Sequence, residues 1–249
     1  IWELEQKYGS LIKGQIYGAK ERRRSGVISK DRAPKLSFDD GLQVLTDRLA
    51  ETLGDRIRLA SPVKGLDRVG ENKIGVKVAD EIGTFDSVLL AMPAYRLAEL
   101  EFPGGERSLS ELNEIIYPPV ASVVLGFKKD EVAHSLAGFG TLNPEVEKVK
   151  TLGTIFSSSL FPGRAPEGCV TLTSYVGGMR SPDLAMQSSE EIVALTVEDL
   201  RAIYGIDGEP VFEQVFPYPK AIPQYGVGYG RFRDLMTHCE ADHPGIFVA

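Results

Sequence analysis

The sequence has few cysteines, no long apolar run and no excess of positive charge. Each of these absences excludes a class of structure or function. Its two cysteines, Cys169 and Cys239, lie far apart and in no CxxC pattern, so reduced thiols are expected rather than a disulfide framework. No stretch approaches the roughly 18 apolar residues that a membrane-spanning helix needs. Because 28 Lys and Arg stand against 35 Asp and Glu, the net charge of −7 excludes a dedicated, wholly basic nucleic-acid binder.

Familiar catalytic signatures are missing as well. The sequence contains no GxSxG, HExxH or P-loop motif. The glycines from Gly226 to Gly230 do not follow a strand in a βαβ unit, which is the context that makes such a run a dinucleotide loop. His238, Cys239 and His243 match no standard zinc spacing, so no metal is predicted. Residue patterns alone therefore leave the catalytic residues unassigned.

With 249 residues, of which 43% are hydrophobic, the chain can bury a core and form one or two domains. The residues Leu42, Leu45, Leu49 and Leu53 form one helical stripe, which predicts an amphipathic helix over 38–54. Asp39 or Asp40 is expected to cap this helix, and Gly54 to end it.

Strand patterns follow this helix. Alternating apolar residues predict strands over 57–63 and 74–78, and the continuous apolar run 88–92 predicts a strand covered on both faces. Such a strand is typical of an α/β layer with a parallel component.

The second half of the chain is richer in strands. Predicted strands span 120–127, 138–142, 151–156, 170–176 and 211–216, separated by turns. Ser188 and Glu191 form a capping box before a helix over 189–204, which Gly205 should end. A helix from about residue 232 precedes a terminal strand. The abrupt start at Ile1 and the strand-like end at Ala249 predict an internal piece of a longer protein.

Several stretches read together resemble the oxygen-dependent protoporphyrinogen oxidases, which are flavoenzymes of the amine-oxidase superfamily. The resemblance covers nearly the whole chain, and it rests on LSFDDGLQVLTDRLAETLG, SPVKGL, VLLAMPA, SLAGFGTL, TLGTIFSSSLFPGRAP, YVGGMRSPDLA and KAIPQYGVGY. It implies an α+β or α/β fold made of part of a Rossmann-like flavin-binding domain and a β-rich substrate domain.

The resemblance also implies a domain division. Residues 1–34 and 104–217 are expected in the substrate domain, and residues 35–103 and 218–249 in the flavin-binding domain. The N-terminal dinucleotide loop and the C-terminal flavin motif of the family are not in this sequence, so the piece alone is expected to be inactive.

The function that the resemblance implies is the FAD- and oxygen-dependent oxidation of protoporphyrinogen IX to protoporphyrin IX in haem biosynthesis. Its partners would be a tetrapyrrole and molecular oxygen, without nucleic acid. Membrane association would be peripheral, through a segment outside this sequence. The location would be the cytoplasm or inner membrane surface of a bacterium, or the chloroplast or mitochondrion of a eukaryote.

Site residues are carried over only where positions match. Val120, Leu136 and Phe156 match apolar positions that line the tetrapyrrole cavity in the family, with the ring of Phe156 stacked on one pyrrole. All three are expected to line one cleft. Val63 matches a strand residue whose backbone meets the adenine of FAD. Each of these residues could instead be an ordinary core or strand residue.

Two other functions stay open at this point. The chain could belong to another flavin amine oxidase or to a desaturase, which turnover of amines or carotenoid precursors would reveal. It could also be a non-catalytic tetrapyrrole-binding module.

Overall fold

The computed structural model describes residues 6–25, 36–70 and 72–249, and the chain divides into two compact units, 1–54 and 55–249. The first unit contains helix α1, Leu11–Ser25, and helix α2, Gln43–Leu53. Part of the predicted segment 1–34 lies outside the described residues.

Helix α2 confirms the predicted amphipathic helix, although its capping differs. Leu42 occupies the N-cap position without a side-chain cap, so the expected cap by Asp39 or Asp40 is wrong. The reason is a turn in which the amide of Gly41 donates to the carbonyl of Phe38, which places both aspartates before the helix. Gly54 ends the helix as predicted, with φ 51° and its amide donating to Ala50. The leucine stripe is exposed rather than buried.

The second unit begins with an antiparallel sheet of three strands in sequence order, β1 (Val63–Val69), β2 (Lys73–Val78) and β3 (Glu81–Phe85). The strand predicted over 57–63 is wrong, because β1 starts only at Val63. Ala60 has φ 52°, which an extended strand cannot contain, and Pro62 lacks the amide that a ladder needs. Strand β3 was not predicted from the sequence.

The second unit also contains a parallel pair of strands, formed by the strand that follows β3 and the last strand of the chain. Strand β4, Val88–Leu90, pairs in parallel with the terminal strand β10, Ile246–Val248. This pairing confirms the predicted parallel component. Coverage of β4 on both faces is not seen, since Leu89 is 64% exposed. The short helix α3, Ala94–Leu97, follows β4, and helix α6, Gly230–Asp242, precedes β10.

One hydrophobic core joins these elements. Its buried members come from 66–115 and from 232–246, and they include Leu66, Ile74, Leu90, Phe102, Leu112, Phe232, Cys239 and Ile246. Residues that are distant in sequence therefore share one core, and this core brings together the two ends of the long segment between β4 and β10.

The segment between β4 and β10 forms a five-stranded antiparallel sheet. Its strands run in the order β6-β7-β8-β5-β9, with bounds β5 Val120–Lys128, β6 Gly140–Leu142, β7 Thr151–Ile155, β8 Cys169–Gly177 and β9 Phe212–Tyr218. The predicted strands in this region are confirmed, with ends shifted by one or two residues. The edge position of β9 explains how it tolerates Pro217.

Helix α5, Ser189–Tyr204, packs against one face of this sheet, and the short helix α4, Ser157–Leu160, follows β7. The second core lies between α5 and the sheet, drawing its buried residues from 121–206. The two cores thus use separate stretches of chain, and the predicted domain boundaries stay predictions. Within the described ranges, no helix combines the length and apolarity needed to cross a bilayer.

The capping box of α5 is formed as predicted. The Ser188 hydroxyl accepts a hydrogen bond from the Glu191 amide at 3.3 Å, and the Glu191 carboxylate accepts one from the Ser188 amide at 3.0 Å. Hydrogen bonding from Ser188 also lowers the pKa of Glu191 below its ordinary value. Gly205 ends the helix in the left-handed conformation, with φ 63°.

Replacing Ser188 by Ala should lower the free energy of unfolding by about 1 kcal/mol, because the first turn of α5 loses its cap. Urea denaturation of the whole protein measures the change. Ser189→Ala is the matched control, since Ser189 is the next residue and supplies no cap. Equal losses in the two variants would contradict the capping role.

The two cysteines are free, as predicted, and they differ in surroundings. Burial raises the pKa of the Cys239 thiol to about 11, and the nearby carboxylates of Asp242 and Glu240 add to this rise. Cys169 is half-buried.

Iodoacetamide at pH 8 should therefore alkylate Cys169 in the native protein and leave Cys239 unmodified. Cys239 is protected because it is covered and because the thiolate, which is the reactive form, is scarce so far below its pKa. Peptide mass spectrometry of native and urea-unfolded samples checks this. Fast native labelling of Cys239 would show that the core around α6 is open.

Candidate functional site

The two faces of the five-stranded sheet have different surroundings. On β5, Ala121, Val123, Leu125 and Phe127 are fully buried against the core beneath α5. Because successive side chains of a strand point to opposite faces, Val120 lies on the other face. The second face of the sheet is therefore not part of this core.

Strand registers place further residues beside one another on that second face. Tyr175 of β8 lies opposite both Ser122 and Gly153, and Gly153 lies opposite Leu142. Residues directly opposite in neighbouring strands share a face. The register thus carries one surface from β6 across the sheet to β5.

A cavity of about 590 Å³ lies on this face. It is lined by Val120, Phe139, Gly140, Thr141, Leu142, Leu152, Gly153, Thr154, Ile155, Tyr175 and Ile222. None of these lining residues carries a charge, and most are apolar. Its size falls in the range of about 300–1,000 Å³ that is typical of small-molecule sites. The arrangement can hold a large, mostly apolar ligand.

Two glycines allow β6 and β7, which form the floor of the cavity, to approach each other closely. A Cβ on Gly140, which has φ +148°, would lie 2.1 Å from the carbonyl oxygen of Thr154. A Cβ on Gly153 would lie 2.5 Å from the carbonyl oxygen of Thr141. Any side chain at either position would push β6 and β7 apart, so the close approach of these strands requires glycine.

Polar side chains beneath the floor hold the hairpin of β6 and β7 on α5. The Asp199 carboxylate accepts hydrogen bonds from the amides of Lys150 and Thr151 at 2.8 and 2.6 Å. Asn143 donates to the hydroxyl and carbonyl of Thr151, and the Thr141 hydroxyl is hydrogen-bonded to that of Tyr204. These buried groups are satisfied, so they make the cavity wall rigid.

The predicted substrate residues are not brought together. Val120 lines the cavity and is half-buried. Phe156 is 2% exposed in the core, because the preceding Ile155 faces the cavity and the alternation turns the next ring away. Leu136 is 4% exposed and lines a different pocket. The expectation of one shared cleft is thus not met by this geometry, and substrate contact by Leu136 and Phe156 stays a prediction.

The surroundings of Phe156 are aromatic. Its ring centroid lies 5.4 Å from that of Tyr204, edge to face, and 5.6 Å from that of His134. Such pairs are typical of packed interiors.

Several residues that line the cavity were missed in the sequence. Phe139, Leu142, Tyr175 and Ile222 all fall within or beside stretches that carry the resemblance. For Leu142 and Tyr175 the signal that could have found them is alternation, because both lie on strands, whose side chains point to the two faces in turn. Phe139 and Ile222 lie outside the strands, where alternation gives no signal.

Replacing Phe156 by Ala should lower the free energy of unfolding by about 3–5 kcal/mol, because a buried ring leaves a cavity in the core. Phe139→Ala is the matched control, since that ring is 52% exposed and its loss should cost about 0.5 kcal/mol or less. Urea unfolding of both variants measures the difference. A Phe156→Ala protein of unchanged stability but without turnover would establish ligand contact instead.

A flavin would need a different part of the second unit. The parallel strands β4 and β10 end at the same edge, at Leu90 and Val248, and open α/β sheets bind nucleotide ligands outside the carboxyl ends of their strands. By this rule a flavin nucleotide would be expected outside this edge. Val63 is the first residue of β1, opposite Val78 of β2, and is 37% exposed. Its adenine contact stays a prediction.

Comparison with known families identifies the class of protein. All of residues 1–249 match the family described as flavin containing amine oxidoreductase. The chain therefore belongs to this family.

The relatives are more specific. The mitochondrial protoporphyrinogen oxidase of Nicotiana tabacum is 32% identical over 274 residues, covering 100% of this chain and 54% of that protein. Chloroplastic protoporphyrinogen oxidase 1 of Arabidopsis thaliana is 33% identical over 269 residues, covering 100% and 50%. The coproporphyrinogen III oxidase of Bacillus subtilis (strain 168) is 25% identical over 256 residues, covering 100% and 53%. The chain spans about half the length of these relatives, and the predicted resemblance is confirmed.

Solved structures agree on the fold. A crystal structure from Exiguobacterium sp. 255-15 has a TM-score of 0.72 at 24% identity, covering 99% of this chain and 51% of that one. Cyclohexylamine oxidase from Brevibacterium oxydans IH-35A has a TM-score of 0.64 at 14% identity, covering 84% and 46%. These likenesses confirm the mixed α/β fold of the amine-oxidase type.

Proposed function

We propose that the whole protein is an FAD-dependent oxidase that converts protoporphyrinogen IX to protoporphyrin IX, with molecular oxygen as the electron acceptor. The observation that carries this proposal is the uncharged, mostly apolar cavity of about 590 Å³ in a chain of the flavin amine oxidoreductase family. FAD supplies the hydride-accepting chemistry in such an enzyme, three times for each macrocycle.

The protein's own residues bind and orient the substrate. A porphyrinogen is a broad, mostly apolar macrocycle with carboxylate arms, and Leu142, Ile155 and Ile222 offer apolar surface to it. Tyr175 adds an aromatic ring, and the two glycines of the floor let a wide ligand lie close to the backbone. Apolar walls also exclude water from the reacting carbons.

The lack of charged residues in the cavity favours protoporphyrinogen over coproporphyrinogen III as the substrate. Protoporphyrinogen carries two carboxylates on one edge, whereas coproporphyrinogen carries four, one on each pyrrole. An edge seated against the uncharged wall should carry no carboxylate, because burying a charge without a partner is costly. The higher identity to protoporphyrinogen oxidases, 32% against 25%, supports the same choice.

Purified whole protein should be yellow with bound FAD, and it should oxidise protoporphyrinogen in air with a higher kcat/KM than coproporphyrinogen. The fluorescence of the porphyrin product measures both rates. A colourless, folded protein would favour a non-catalytic tetrapyrrole-binding module, and faster turnover of amines would favour another flavin amine oxidase.

Leu142→Asp tests the cavity directly. A carboxylate on the cavity wall should raise the KM for protoporphyrinogen by about tenfold, because substrate binding would have to strip water from this charged group. The same carboxylate would repel the carboxylates of the substrate. FAD content and melting temperature should stay the same. Val146→Asp is the matched control, since Val146 is an exposed apolar residue of the connection that follows β6 and does not line the cavity. Equal KM values in both variants and the unaltered protein would show that the substrate binds elsewhere.

A further inference from the structure

The start of α3 and the end of β9 line a second cavity, of about 390 Å³. Two tyrosines and three charged side chains line this tyrosine pocket together with two prolines, the five being Tyr95, Tyr218, Arg96, Glu99 and Lys220. The pocket shares no lining residue with the apolar cavity, and its chemistry differs, because none of the residues that line the apolar cavity is charged. The oxidation of the macrocycle itself makes no use of these charges.

The register of β9 on β5 makes the tyrosine pocket a neighbour of the apolar cavity. Tyr218 lies directly opposite Val120, and residues paired in this way share a face of the sheet. Val120 lines the cavity, and Tyr218 lines the pocket. The connection after β9 repeats this arrangement, because Lys220 lines the pocket and Ile222, two residues later, lines the cavity. A ligand that extends from the cavity past Val120 therefore reaches the tyrosine pocket.

Hydrogen bonds and ring contacts hold the pocket in shape. The amide of Ala221 donates to the carbonyl of Pro118 at 3.2 Å, which ties the connection after β9 to the segment before β5. The ring of Tyr95 lies 5.2 Å from that of Tyr117, edge to face. The Tyr117 hydroxyl in turn accepts a hydrogen bond from the amide of Ala94, at the start of α3, at 3.2 Å. The pocket is therefore largely formed before a ligand binds, which lowers the entropic cost of binding.

The charges of the pocket leave one cation without an acidic partner. The ammonium of Lys220 lies 4.1 Å from the centroid of the Tyr95 ring, and the guanidinium of Arg96 lies 5.7 Å from the same centroid. Glu99, which is the one acid among the lining residues, pairs with Arg96 at 3.0 Å. Within the part of the chain that the structure describes, no carboxylate pairs with Lys220. Two cations and one acid leave an excess positive charge, which favours an anionic ligand.

We propose that the tyrosine pocket receives the carboxylate arms of the porphyrinogen, with Lys220 as their cationic partner. This role rests on the proposed function, because it places the macrocycle in the apolar cavity. The uncharged wall of that cavity offers a carboxylate no partner, whereas the ammonium of Lys220 and the hydroxyl of Tyr218 are hydrogen-bond donors in the neighbouring pocket.

The number of carboxylates makes Lys220 a specificity residue. Protoporphyrinogen carries both of its carboxylates on one edge, so one flanking pocket serves both. Coproporphyrinogen III has further carboxylates on its other pyrroles, which would stay against the uncharged wall of the cavity. The pocket and the cavity therefore select together for a macrocycle with one charged edge.

Protoporphyrin and its dimethyl ester test this role in the whole protein, because the ester keeps the macrocycle and lacks both charges. The change in porphyrin absorption on binding measures each Kd without turnover. Lys220→Gln should raise the Kd of protoporphyrin by about fivefold, which is the upper end for an exposed ion pair, and should leave the Kd of the ester unchanged. Lys220→Arg keeps the charge and should restore the affinity.

Lys129→Gln is the matched control, because Lys129 is an exposed lysine that follows the end of β5 farthest from Val120. It should leave the Kd of both porphyrins unchanged. Equal affinity of the Lys220→Gln variant and the unaltered protein for protoporphyrin would overturn the role of Lys220. An equal loss of affinity for the ester would overturn it too, since it would indicate altered packing. Loss of FAD from this variant with unchanged porphyrin affinity would assign the cation to the cofactor instead.

The same measurements separate this role from the proposed function. A protein that binds protoporphyrin through Lys220 and does not oxidise protoporphyrinogen would contradict the oxidase activity alone. A protein that oxidises protoporphyrinogen with the same KM before and after Lys220→Gln would contradict the role of Lys220 alone. Failure of the unaltered protein to bind protoporphyrin would contradict both.

Discussion

The burial of one face of β5 against α5 is the constraint on which the candidate site depends. The alternate residues of this strand from Ala121 to Phe127 have no exposed surface. Since a strand cannot present the same side chain to both faces, Val120 and its neighbours across the register must face away from that core. The opposite face is then apolar without being core, and this combination produces a binding cavity rather than a second packed layer.

A buried polar network converts that constraint into a fixed shape. Asp199 of α5 accepts two backbone amides at the start of β7, and Asn143 joins the end of β6 to Thr151. Hydrogen bonds to a charged group contribute about 1.5–3 kcal/mol each, so the hairpin that forms the cavity wall is held from below. The wall above it can then consist of glycine and apolar side chains, whose function is to fit a ligand.

The cavity on the second face has no charged lining residue, which suits the macrocycle of the proposed substrate. The core beneath it is aromatic. The rings of His134, Phe156 and Tyr204 lie within 5.4 to 5.6 Å of one another, and the Tyr204 hydroxyl is hydrogen-bonded to Thr141 of the cavity wall.

The local features and the family could be predicted from the amino-acid sequence. Ser188 with Glu191 and the stops at Gly54 and Gly205 were predictable because caps and helix ends depend on a few neighbouring residues. The run 88–92 predicted a parallel strand from composition alone, and the motifs placed the chain in its family. Tertiary structure decided where the individual side chains point. Phe156 lies in the core and Leu136 in another pocket because strand register and the contacts of α5 are long-range, and no local pattern encodes them.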